Sequence, residues 1–76
     1  MKHELKLEKD HFGSVLAGLK TFDVRYYDRN YQVGDILVLK EWDLFSESFT
    51  GREVEKKITY ITNCDQKDGY VVMAIV

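Results

Sequence analysis

In the stretch from His3 to Leu7, Leu5 and Leu7 alternate with Glu4 and Lys6, a period of two that predicts a half-buried strand. From Lys9 the period lengthens. Phe12, Val15, Leu16 and Leu19 fall at i, i+3, i+4 and i+7, which lines one face of a helix over about residues 9 to 17. Asp10 sits in its first turn, where the helix dipole favours an anion, and Gly18 stands where a left-handed residue would stop it. Beyond Gly18 the period is two again. Phe22 and Val24 share one parity and are expected to point into the core, which leaves Thr21, Asp23 and Arg25 on the opposite side.

Further along, Gly34-Asp35 is turn chemistry, and the run Ile36, Leu37, Val38, Leu39 reads as a strand buried on both faces. "LFSESFTG" reads as a loop, and Val54, Ile58 and Tyr60 then alternate with Glu53, Glu55, Lys57 and Thr59 in a long strand with one wet side. Asn63 to Gly69 reads as a turn before a final apolar strand, Tyr70 to Val76. The order of strand, helix, then four strands has no βαβ alternation. It predicts an α+β, mostly β chain, a small antiparallel-rich β-barrel of about five strands capped by one main helix.

Composition narrows the function more than the fold. At 76 residues the chain fits one domain, residues 1–76, near the size at which a single core suffices without staples. Eleven basic against thirteen acidic side chains give a net charge of -2, which excludes a general basic field for coating nucleic acid. Any contact with RNA or a nucleotide must come from a local pocket. The single cysteine, Cys64, excludes an intramolecular disulfide and a Cys-rich zinc site, so no metal or cofactor is expected and the setting is read as reducing and cytoplasmic. Cys64 also has no histidine near it in sequence and shows no sign of being a nucleophile. No segment approaches the roughly 20 apolar residues that span a bilayer, and no membrane partner is expected.

The densest chemistry lies in "GLKTFDVR", residues 18 to 25, where Lys20, Asp23 and Arg25 follow the helix stop. One reading is a solvent-facing strand side carrying an i, i+2 ion pair. The other is a ligand cleft at the junction of helix and barrel, with lysine and arginine for phosphate and an acid that holds the arginine or accepts from a base amine. His3 could line the same cleft, Trp42 could be core packing or a platform for a base, and Arg52 could contact phosphate from a loop. Arg29 is a second loop candidate for a phosphate-contacting rim, although its solvated reading is preferred, and His11 reads as solvated. Tyr26, Tyr27 and Tyr31 could stack bases, but aromatics at a strand exit commonly close a barrel end, and that reading is preferred.

The octet resembles the G-x-K-x-x-E-x-R signature of the ASCH domains, a branch of the PUA-like superfamily. Gly18, Lys20 and Arg25 match, and Asp23 stands where that family usually has Glu. The flanks "HELKL", "KDHFGSVLAG", "KTFDVRYYDRNYQVGDILVLKEWD", "FTG" with Arg52, and "GYVVMAIV" resemble a small ASCH-like family of bacteria and phages. The resemblance implies a PUA-like barrel that binds RNA or a nucleotide-like ligand between helix and barrel. Lys20, Asp23, Arg25, His3, Trp42 and Arg52 would form the site, and Gly18 would be a structural residue of the motif. Lys20→Ala and Arg25→Ala are expected to weaken binding to short RNA or nucleotides while leaving the melting temperature nearly unchanged. Two alternatives stand beside binding. One is amide hydrolysis on modified nucleosides, with Lys20 as base; the other is a phage or host protein interaction through an aromatic surface.

Overall fold

The computed structural model describes residues 1–63 and 66–76. The expected reading of Cys64 lies outside the described residues. The chain forms β1 (Lys2–Glu8), α1 (Lys9–Leu16), β2 (Phe22–Tyr26), β3 (Ile36–Asp43), β4 (Ser48–Thr62) and β5 (Tyr70–Ile75). The strands make one sheet in the order β1-β3-β4-β5-β2, with β1 parallel to β3 and the other pairs antiparallel.

The alternation in β1 buries His3, Leu5 and Leu7, and the run in β3 buries Leu37, Val38 and Leu39. β3 pairs with the first part of β4 and β5 with the last part, so the 15-residue β4 carries the sheet from one half to the other. Its register shifts between Ile58 and Tyr60, the kind of irregularity that bends a strand. "LFSESFTG" is therefore only partly loop, because β4 already begins at Ser48.

The sheet is open, which corrects the expected barrel. Its edge strands, β1 and β2, form no backbone ladder with each other. Two side chains span the seam instead: Arg25 Nη2 donates to the Lys6 carbonyl at 3.0 Å, and Arg29 Nη1 donates to the Glu4 carbonyl at 3.4 Å. An edge strand presents carbonyls without partners, and a guanidinium that reaches them satisfies the edge while leaving a gap between the strands.

The helix is anchored by Phe12 and Val15, at 1% and 0% exposure, and packs on β3 and β1. Leu16 and Leu19 lie outside the core, so the expected apolar face is buried only along its first half. Gly18 adopts φ 77°, the left-handed conformation that the helix stop required, and its N–H donates to the Val15 carbonyl.

The register of β2 is the reverse of that expected. Asp23 lies opposite Met73, which is fully buried, and Arg25 lies opposite Val71, so Asp23 and Arg25 face the interior. Phe22 and Val24 face outward, at 46% and 43% exposure, in rows with Ala74 and Val72 of β5. Both faces of β2 carry residues that could be buried, and a period of two does not say which one is. The ion pair decides it, because an aspartate can enter the core when an arginine two residues on shares its face. Phe22→Ala is accordingly expected to cost less than about 1 kcal/mol, within the range of surface substitutions rather than core truncations. A loss of several kcal/mol in urea denaturation would contradict this register.

Candidate functional site

Three ionic groups are built into the inner face, each by a different pair of elements. In β2, Arg25 Nε donates to Asp23 Oδ2 at 2.6 Å, with Asp23 almost wholly buried and Arg25 about one-fifth exposed. At the start of β1, His3 Nε2 lies 2.7 Å from Asp35 Oδ2, and Asp35 also accepts from the Gln32 backbone N–H and the N-terminal ammonium. These bonds, with the His3 contact the strongest, hold the Asp35 carboxyl below its ordinary range. At the end of β3, buried Glu41 is gripped by Arg52 through both oxygens, at 3.0 and 2.8 Å, and accepts from the Thr50 hydroxyl at 2.5 Å.

Glu41 carries a consequence for acid stability. The Arg52 and Thr50 hydrogen bonds lower its pKa from 4.5 to about 2. Since the folded carboxyl holds its proton less readily than the unfolded one, the contribution is complete above pH 4.5 and fades as pH falls toward about 2. The urea midpoint is expected to drop over that window in the native chain and to drop less in Glu41→Gln. Equal acid profiles for the two would remove Glu41 as a source of the effect.

The six candidate residues do not converge on one cleft. Asp23 and Arg25 meet. His3 edges onto the Tyr31 ring at 4.9 Å between centroids, so its role here is to fix β1 against the loop before β3. Arg52 is committed to Glu41 and lies over the Phe12 ring at 5.2 Å. Trp42 faces outward beneath the Lys6 ammonium, 4.1 Å from its ring centroid, with Phe49 edge-on at 4.9 Å. Lys20 lies 3.5 Å from His11 Nδ1 and 5.4 Å from the Phe22 ring centroid, on the outward parity of β2.

Concave space occurs instead on both sides of Tyr31. A cavity of about 260 Å³ opens at the seam between β1 and the segment after β2, lined by Glu4, Lys6, Arg25, Asp28, Arg29 and Tyr31. A broader one of about 690 Å³ is lined by residues including Tyr27, Tyr31, Gln32, Asn63 and Tyr70. Tyr31 is itself buried at 2% exposure, and burial raises the pKa of its phenol. A third cavity, of about 200 Å³, lies between the start of α1 and the β3–β4 turn and includes Trp42.

The sequence offers Arg29 for a phosphate-contacting rim and Tyr31 for base stacking only as second readings, behind solvation and barrel closure. Their signal was faint: an arginine and a tyrosine two apart in a polar loop, with nothing in the spacing to show that the loop folds back over β1. The fold brings them there because the Arg29 guanidinium lies over Tyr31 at 5.9 Å and donates to β1.

A small, mostly β domain with an arginine-bridged seam and an aromatic chamber beside it is thus the class that fold and geometry define. The chain belongs to the family described as a domain of unknown function, DUF3850, whose pattern matches residues 2–75. It is 44% identical over 72 residues to the uncharacterized 12.9 kDa protein in the GpA 3' region of Escherichia phage P2. The match covers 93% of this chain and 64% of that relative, so the chain spans less than two thirds of the relative's length. Among the described residues, no helix is long and apolar enough to cross a membrane, and no group of three His, Cys, Asp or Glu side chains could hold a metal ion.

Proposed function

We propose that the protein is a binding module for RNA or a nucleotide-like ligand, and that the ligand's phosphate is held at the seam by Arg25 and Arg29. The observation that carries this reading is the cavity shared by the two guanidiniums. Arg25 is held between the buried Asp23 carboxylate and the Lys6 carbonyl, so its planar fork is set in place before any ligand arrives. Preorganised guanidinium is well suited to phosphate oxygens, and a fork already fixed loses little freedom on binding. The resemblance of residues 18 to 25 to the ASCH signature supports the same assignment, with a PUA-like ancestry for the open sheet. In this reading Asp23 positions Arg25 and does not touch the ligand.

Binding is favoured over hydrolysis by the state of the groups that would have to react. Amide hydrolysis needs a nucleophile beside an activating base. The hydroxyl–carboxylate contact between Thr50 and Glu41 has that form, but Arg52 makes Glu41 far too weak a base. Lys20, the other candidate base, has His11 and Phe22 as its neighbours.

Arg29→Ala tests the site with the least risk to the fold, since Arg29 is about two-fifths exposed. It is expected to weaken binding of a short single-stranded RNA or a nucleoside monophosphate by about tenfold, the worth of one charge-assisted hydrogen bond to phosphate, while the melting temperature falls by only a few degrees for the lost exposed bond to the Glu4 carbonyl. Unaltered affinity in a calorimetric titration would move the phosphate away from the seam.

A further inference from the structure

We infer that the larger cavity beside the arginines is a chamber for one unpaired base, so that the ligand is a single nucleotide unit or a single-stranded RNA with one base turned inward. This rests on the placing of phosphate at Arg25 and Arg29. The two cavities meet at Tyr31, which lines both, so a phosphate on the arginines lies one side chain away from the chamber.

The division of chemistry between the two is what a nucleotide requires. The seam cavity carries Arg25, Arg29, Lys6, Glu4 and Asp28. Among the described residues, the chamber is lined by no charged side chain; it offers tyrosine rings and the carboxamides of Gln32 and Asn63. A nucleobase is planar and uncharged, with donors and acceptors on its edge, so rings can stack on its face while carboxamides pair with that edge. The chamber is open to solvent on one side rather than enclosed, and at about 690 Å³ it falls within the range of small-molecule sites, with room for a base and its ribose. A base inside a duplex could not enter, because its faces are covered and its edge is paired.

The walls are held before the ligand comes. Tyr27 meets Tyr31 at 61° with centroids 5.9 Å apart, and its hydroxyl reaches Asn30 Oδ1 at 3.1 Å and the Tyr31 carbonyl at 3.3 Å. Tyr70 is braced edge-on by Tyr26 at 5.4 Å. Gly69 makes that brace possible: a Cβ there would stand 2.6 Å from Tyr26 Cε1, and its φ of +84° already favours glycine.

Titration of the whole chain with each of the four ribonucleoside monophosphates, and with ribose 5-phosphate, tests the assignment by calorimetry and backbone amide shifts. At least one nucleotide is expected to bind about tenfold or more tightly than ribose 5-phosphate, the scale of one base stacked on an aromatic ring. Shifts should appear at both Arg29 and Asn63. Tyr70→Ala and, separately, Asn63→Ala at its exposed position should erase most of that preference while leaving ribose 5-phosphate affinity as it was. Ribose 5-phosphate binding as tightly as every nucleotide would overturn the base chamber and leave the phosphate site standing. Failure of all five to bind would overturn the phosphate site and the chamber with it.

Discussion

Arg25→Ala is expected to destabilise the protein by about 3 to 5 kcal/mol, because it leaves Asp23 charged and without its partner in the interior. The carboxylate is only 3% exposed and cannot turn to water without opening β2 from β5. The same change removes the bond from Arg25 to the Lys6 carbonyl that helps to join the two edges of the sheet. For a chain of 76 residues, whose total stability is expected to be on the order of 5 kcal/mol, this approaches complete unfolding at room temperature. A urea midpoint close to the native value would mean that the pair is solvated. The double variant Asp23→Val with Arg25→Met should recover much of the loss, since removing both charges abolishes the desolvation penalty that one alone incurs.

This result would separate two roles that the sequence had merged. An arginine in a ligand-binding motif is expected to weaken binding on truncation and to spare the fold, yet the structure gives Arg25 a structural partner on each side. Arg29 is the residue on which binding can be tested cleanly.

The elements were legible because their patterns were long and unmixed. The alternation in β1, the apolar run in β3 and the single helical stretch each admitted one assignment, and the left-handed Gly18 marked where the helix ends. The register of β2 was not legible, because Phe22 and Val24 on one side compete with Asp23 and Arg25 on the other, and local hydrophobicity points to the wrong face. What buries Asp23 is a bond to Arg25 on the same face together with a cross-strand neighbour, Met73, fifty residues away along the chain. Closure was misjudged for a related reason. Strand count suggests a barrel, but whether the last edges pair depends on what fills the seam, and here it is the side chains of Arg25 from β2 and Arg29 from the loop after it.

The same long-range logic scattered the candidate site. Trp42 and Arg52 are near the octet only if the strands that carry them present the same face at the same height. Parity places Trp42 outward, and Glu41, which no motif singled out, draws Arg52 toward the helix side at Phe12. Buried acids of this kind announce themselves in sequence only through partners that the fold has yet to supply.

Phe12→Ala is expected to be as damaging as loss of Arg25, at about 3 to 5 kcal/mol, but by a different route. Phe12 is 1% exposed and, with Val15, is the apolar anchor of an eight-residue helix that has no side-chain cap at its start. A helix so short does not persist in water on its own, and its stability comes from the face it packs against β3 and β1. Truncation should therefore remove the helix as well as leave a cavity, and Arg52 would lose the ring beneath its guanidinium. Hydrogen exchange can distinguish this from a uniform loss: in Phe12→Ala the amides of Ala17 and Gly18, which donate to Gly13 and Val15, should exchange faster than those of the β3–β4 ladder. Phe12→Leu, which keeps most of the volume, should retain both the helix and the larger part of the stability. Protection of Ala17 and Gly18 equal to that of the native chain in Phe12→Ala would show that the helix is held by something other than its aromatic anchor.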